Sequence, residues 1–274
     1  MTVRKSVAAL TPDEKRAFVN AVLELKRTGI YDRYVNAHNY YLMSDSDFGP
    51  RIGHRTPSFL PWHRRFLLDF EASLQRVDRN VALPYWDWTV DRAANSPLWA
   101  SDFMGGSRRG RDGQVLDGPF AAGGGKWPVT VGVDRRDYLR RVLGSGVPQL
   151  PTRAEVDSVL AMPVYDTAPW NSSSSGFRNH LEGWRGANLH NRVHVWVGGH
   201  MATAASPNDP VFWLHHAFVD KLWADWQARN PKAGYLPAAR TQNVIDLRGV
   251  LPPWNNVTPA DMLDHRRFYT FDKP

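Results

Sequence analysis

Four histidines fall on the apolar stripes of predicted helices, and nothing else in the chain constrains its fold as strongly. A helix that turns an imidazole inward has to bury it, so the helices that carry these residues must converge on a shared interior. Two blocks of sequence supply six histidines in all, with His38, His54 and His63 toward the front and His190, His194 and His216 further back. Neutral imidazoles gathered in an apolar core have one common reason to be there, which is to hold metal.

Periodicity places them. Thr11-Pro12-Asp13-Glu14 reads as a capping box with proline at the first helical position, and predicts an amphipathic helix that runs to about Thr28 and stops at Gly29. Tyr31, Tyr34, Val35, His38 and Leu42 then recur at helical spacing, which turns His38 inward. A third helix is predicted from near Pro61, with His63, Phe66, Leu67, Phe70, Leu74 and Val77 in one stripe. Between these two, Gly53-His54-Arg55-Thr56-Pro57-Ser58 is a loop, so His54 is delivered from a loop. Leu189 to Trp196 reads as a short helix closed by Gly198-Gly199, and Asp209-Pro210 opens a longer one with Phe212, His216, Val219, Trp223 and Trp226 on one face. Residues 134–143 and 152–162 are predicted as helices without chemistry, and the glycine-rich stretch 104–126 as a long surface excursion. The expected class is mainly α, a four-helix-bundle core with short strands and long loops, with residues 1–274 as a single domain.

Composition narrows the chemistry. A chain of 274 residues with 12 Trp and 12 Phe can bury a large aromatic core, so it needs no disulfide staples. It contains no cysteine, which excludes thiolate zinc sites and iron–sulfur ligation and leaves histidine, carboxylate or carbonyl as metal ligands. The net charge of +7 comes largely from arginine, with pairs at Arg64-Arg65, Arg108-Arg109, Arg135-Arg136 and Arg140-Arg141. These read as solvated faces; no aromatic interleaving suggests a nucleic-acid groove. No apolar run approaches the roughly 20 residues of a membrane span, and the opening MTVRKSVAAL is too short and interrupted for a signal-peptide apolar region.

His190 and His194 lie four apart on one helical face, close enough to share an ion. Zinc proteases with this spacing require Glu directly after the first histidine, and Asn191 stands there instead. The other histidine-bearing helices carry no carboxylates at comparable positions, which disfavours carboxylate-bridged di-iron and dinuclear hydrolase sites. Two imidazole triads suit copper best.

The run His54-Arg55-Thr56-Pro57-Ser58-Phe59-Leu60-Pro61-Trp62-His63-Arg64-Arg65 resembles the first copper-binding signature of tyrosinases, and Asp209-Pro210-Val211-Phe212-Trp213-Leu214-His215-His216, followed by Asp220, resembles the second. The similarity to short bacterial tyrosinases of actinomycete type extends from Val3-Arg4-Lys5 to Tyr269-Thr270-Phe271. Membership of this type 3 dicopper family implies two copper ions and O2 as co-substrate, hydroxylation of monophenols, and oxidation of o-diphenols to o-quinones, as in melanin formation. It implies that His38, His54 and His63 bind one copper and His190, His194 and His216 the other. Spacing leaves His215 and His216 open; the second signature points to His216, with His215, Phe59 and Asp220 supporting the ligands. Glu182 and Asn191 match the positions that in similar enzymes hold a water that deprotonates the phenol. Their plainer readings are a salt-bridge partner and a surface helix residue. Val195, His200 and Met43 are expected near the substrate pocket.

Larger family members fix one ligand through a cysteine thioether, so here His54 is expected to be held by packing alone, against Phe59. The resemblance further implies a separate small copper-delivering caddie protein that carries the export signal. Secretion with that partner is then expected, and cytoplasmic residence without it. Two rivals remain on the same scaffold: an o-aminophenol or catechol oxidase with little monophenol hydroxylation, and a haemocyanin-like oxygen carrier.

Overall fold

The computed structural model of the chain describes residues 1–106, 108–132 and 134–273. In chain order the main elements are β1 (Thr2–Arg4), α1 (Pro12–Arg27), α2 (Ile30–Ser44), α3 (Phe59–Val77), α4 (Arg153–Leu160), α5 (Phe177–Glu182), α6 (Leu189–Val197), α7 (Val211–Arg229) and β2 (Tyr269–Phe271). Helices α2, α3, α6 and α7 carry the clustered histidines other than His54 and form the bundle core of a mainly helical fold. Short 3-10 turns and long connections cover the rest.

Local chemistry sets the helix ends. At α1 the Thr11 hydroxyl accepts the Glu14 N–H while the Glu14 carboxylate accepts the Thr11 N–H, and Gly29, at φ +72°, turns the chain into α2. A second capping box, Thr152 with Glu155, starts α4. The Asp209 carboxylate accepts the Val211 N–H at 3.1 Å where α7 begins.

Aromatic side chains then lock the helices together. Trp213 of α7 stacks on Phe70 of α3 with centroids 3.6 Å apart, and its indole N–H donates to the Tyr31 hydroxyl of α2 at 2.9 Å. The Tyr31 hydroxyl in turn donates to Pro207 O at 2.6 Å. The two chain ends meet as parallel strands, with Thr2 opposite Tyr269 and Arg4 opposite Phe271. Behind them Arg4, fully buried, reaches Glu71 of α3 at 2.8 Å and Asp220 of α7 at 3.1 Å.

Three expectations are corrected. Residues 134–143 form no helix, because their backbone is taken by neighbours: Val115 N–H donates to Leu139 O, His200 N–H to Arg140 O, and Val142 N–H to Val197 O. Gly199 permits this approach, since a Cβ there would lie 2.0 Å from Arg140 O. The stretch 104–126 is no mere surface excursion, for Met104, Val115 and Phe120 are buried in the core. The arginine pairs are not simply solvated either. Arg64 and Arg141 are fully buried, paired with Asp220 and Asp209, each at 2.6 Å, and Asp220 thereby fixes the residue next to His63.

Candidate metal centre

Two histidine clusters face each other at the centre of the bundle. In one, a ring nitrogen from each of His38, His54 and His63 lies within 4.8 Å of the others; in the other, the same holds for His190, His194, His215 and His216. Between them the His63 and His216 rings stack with centroids 4.4 Å apart and planes 15° from parallel. Phe59 touches both groups, with its centroid 4.7 Å from His63 and 5.0 Å from His190.

Four rings are oriented by backbone carbonyls. Nδ1–H donates from His38 to Ala204 O at 2.9 Å, from His63 to Phe59 O at 2.8 Å, from His190 to Glu182 O at 2.9 Å, and from His194 to Met201 O at 2.7 Å. An imidazole that donates through Nδ1 presents a lone pair at Nε2. The Nε2 atoms of His38 and His63 are buried and have no partner. Those of His190 and His194 lie 3.0 Å apart, and that of His216 lies 3.2 and 3.3 Å from them. Two lone pairs at such a distance repel unless a cation lies between them. Burial lowers the pKa of His38, His63, His190 and His216 well below the ordinary value, with neighbouring imidazoles adding to the effect, and lowers His194 to about 4. At neutral pH these rings are uncharged, the form a metal requires. The donor set therefore fits a pair of copper ions held by nitrogen alone.

His215 plays a different part. Its Nδ1 accepts the Trp88 indole N–H at 3.1 Å, which leaves the proton on Nε2, and its ring stacks on His190 with centroids 5.0 Å apart. It braces His190 and offers no lone pair toward the cluster.

The expectation that packing alone holds His54 is wrong. The buried Asp45 carboxylate accepts the N–H groups of Ile52, Gly53 and His54 at 2.7, 2.8 and 2.7 Å. On the other side the Arg55 N–H donates to Glu182 at 2.5 Å, with Arg55 itself at φ +54°. Phe59 adds a ring contact at 6.1 Å. Sequence reasoning missed Asp45, and its only trace there is its place just past the end of the His38 helix.

Glu182 ends α5, a helix too short for its period to be read, although Gly176 and Gly183 bracket it. Buried with its carboxylate on Arg178 at 2.8 Å, it also accepts the Trp184 indole N–H at 2.9 Å. Arg178 is shared with Asp166, whose pKa burial pushes up to about 6 in spite of that partner. Asn191 is half-buried, and its Oδ1 lies 3.0 Å from the His190 Nδ1–H. Gly183, at φ +106°, lets the two segments touch, because a Cβ there would lie 2.9 Å from the Asn191 nitrogen. Of the expected pocket residues, Met43 and Val195 are exposed, at 72% and 37%. His200 is buried and accepts the Arg140 N–H at 3.1 Å, which places it in packing and not at an opening.

Comparison with known proteins agrees with this geometry. Residues 28–229 match the family model described as the common central domain of tyrosinase. The chain is 68% identical to a tyrosinase of Streptomyces antibioticus over 99% of this chain and 100% of that one. It is 49% identical to the grixazone synthase of Streptomyces griseus, with 99% of each covered. Among solved structures, a functional unit of Octopus haemocyanin superposes with a TM-score of 0.66 at 22% identity, over 99% of this chain and 68% of that one, a likeness of fold alone. The chain belongs to the tyrosinase family of type 3 dicopper proteins.

Proposed function

We propose that this chain hydroxylates monophenols and oxidises o-diphenols to o-quinones with O2. In this reading His38, His54 and His63 hold one copper and His190, His194 and His216 the other. The observation that carries it is the meeting of two buried imidazole clusters, one with unpartnered Nε2 atoms on His38 and His63 and one whose three Nε2 atoms crowd within 3.0–3.3 Å, joined by the stacked rings of His63 and His216. Bound there, a copper pair supplies the two electrons that O2 takes up.

The remaining work falls to the chain itself. Four backbone carbonyls fix the rings of His38, His63, His190 and His194, so the chain itself sets the direction in which each presents its Nε2. A carboxylate has about four acceptor positions, and three of those on Glu182 are filled by protein donors. We assign the remaining one to a water, oriented with the Asn191 amide, that takes the proton of an incoming phenol.

The test is a spectrophotometric comparison of tyrosine, DOPA and 2-aminophenol on protein with its copper content measured. Quinone formation from both tyrosine and DOPA is expected. Oxidation of DOPA or 2-aminophenol without tyrosine would replace the reading by a catechol or o-aminophenol oxidase, and turnover of none of them by an oxygen carrier. We further infer that a small copper-delivering protein docks on this chain and accompanies its export. Its support is that Tyr40, Met43, Phe48, Trp184 and Val195 stand exposed on the segments that carry the ligands and Glu182. Full copper occupancy and export of the chain expressed without any partner would overturn this.

A further inference from the structure

We propose that Asp45 is the positioning residue of the first metal site, a carboxylate clasp that fixes the backbone of the loop ligand His54 before metal arrives. The proposal rests on His54 being a copper ligand.

Of the six ligands, His38, His63, His190 and His194 have their rings fixed by a carbonyl at Nδ1. The His216 ring is wedged between His63, at 4.4 Å, and Phe212, at 4.1 Å, on a buried helix. His54 has neither device. Its Nδ1 is buried without a hydrogen bond, and it comes from a loop. A loop ligand free to wander would add its ordering cost to every binding event.

The clasp removes that freedom. Asp45 lies just past α2, and its N–H still closes the helix on Tyr41 O at 3.1 Å, so the carboxylate moves with the helix that carries His38. Three successive N–H groups, those of Ile52, Gly53 and His54, converge on its two oxygens. This is the anion-binding concavity that a run of backbone amides forms, filled by a carboxylate of the same chain. Oδ2, which takes the His54 N–H, lies 3.7 Å from the His54 Nδ1, beyond hydrogen-bond reach, so its hold is on the backbone and not on the ring.

The intervening chain is closed by the opposite charge. Arg51 donates through one nitrogen to Ser46 O, Asp47 O and Gly49 O, at 3.1, 2.9 and 3.0 Å. Asp45 thus collects donors and Arg51 acceptors of one short loop, and the Asp45 carbonyl accepts from Arg55 Nη1 at 3.1 Å. Trp62 shuts the back, since a Cβ on Gly53 would lie 3.4 Å from its ring. Every one of these contacts is made by the chain itself, so none of them calls on a metal ligand bond.

Two single-site backgrounds give the test, His194→Ala to leave the first site and His63→Ala to leave the second. Into each, Asp45→Asn is introduced, which keeps the size but turns an NH2 toward backbone donors. Release of copper to a chelator should become about 10- to 100-fold faster in the first background, as for other groups that orient a ligand, and stay unchanged in the second. In the metal-free wild-type protein the amide protons of residues 52–54 should exchange slowly, and Asp45→Asn should release them. Equal acceleration in both backgrounds, as a general loss of stability would produce, overturns the proposal, and so does no acceleration in either. Should Asp45→Asn fail to fold, the wild-type exchange decides: residues 52–54 exchanging as fast as free chain in the metal-free protein rejects the clasp. If His54→Ala in the first background holds copper as tightly as its parent, the ligand reading has failed instead.

Discussion

Replacing Glu182 by Gln separates the chemistry of that carboxylate from its structural duty. Oε1 accepts the Arg55 N–H at 2.5 Å and the Trp184 indole N–H at 2.9 Å, while Oε2 takes Arg178 at 2.8 Å. The Gln oxygen can keep the first two donors, but its NH2 then faces the guanidinium. Stripping one partner from a buried pair costs about 3–5 kcal/mol when the other is left alone. Arg178 is not left alone, since it still reaches Asp166, the Asn179 side chain and Asn171 O. The cost should therefore be nearer that of one charged hydrogen bond, about 1.5–3 kcal/mol, and the variant should fold with a lowered Tm. The chemical loss is of another size. A phenol with a pKa of about 10 is ionised in roughly one molecule per thousand at pH 7. Loss of a positioned base should slow monophenol hydroxylation by roughly 10² to 10⁴, whereas electron transfer from a diphenol needs no such base and should fall by a small factor. Initial rates of quinone formation from tyrosine and from DOPA, on variant protein carrying full copper, measure both. Equal losses on the two substrates would refute the reasoning and return Glu182 to the role of a salt-bridge partner.

His63→Ala and His194→Ala should each halve the copper content found by elemental analysis and abolish diphenol oxidation, and their combination should add little, because the ligands act as one unit. Gly183→Ala would force φ +106° on an L side chain and bring its Cβ to 2.5 Å from the Asn188 Oδ1; a Tm loss equivalent to about 1–3 kcal/mol is expected, and an unchanged Tm would show that the contact is not tight. Burial first, and Arg140 next, lower the pKa of His200 to about 4, below the 6.5 of an exposed histidine. The unfolded chain therefore binds the proton first: stability is intact above pH 6.5, falls as the pH drops toward 4, and is then lower by about 3 kcal/mol. Denaturant unfolding of metal-free protein between pH 7 and 4 should show a shallower fall for His200→Gln than for wild type.

The bundle was legible because α2, α3, α6 and α7 are long enough, or bear enough apolar residues, for a 3.6-residue period to mark their inner faces. Separating His216 from His215 took the second copper signature, whereas His38, His63, His190 and His194 were readable from the period itself. What orients them was not, since Ala204 O and Met201 O are backbone atoms with no side-chain signature, and Ala204 lies 166 residues from the ring it fixes. The same limit hid Asp45, whose partners are amides, and α5, whose six residues span less than two turns. Adjacent arginines misled for a different reason. Arg64 turns inward to Asp220 while Arg65 turns outward to Asp69, and local sequence does not say which of two neighbours faces a buried carboxylate.

A fold shared with a haemocyanin unit is a likeness of architecture and says little about whether phenols react here. The discriminating structure lies beside the clusters. Asp166, Arg178 and Glu182 form a buried triad in which one guanidinium serves two carboxylates. Burial pushes the Asp166 pKa up to about 6 even beside Arg178, while the two carboxylates hold the Arg178 guanidinium charged. Buried ion pairs of this kind are weak sources of stability, so what the triad secures is position. Glu182 offers its carbonyl to the His190 ring at 2.9 Å, and Gly183, the next residue, packs on the backbone of Asn191, whose Oδ1 lies 3.0 Å from the same His190 nitrogen. A carrier needs the first of these contacts to hold its metal. It has no use for a buried, fixed carboxylate with one acceptor position left over, and an enzyme that must take a proton from a phenol does.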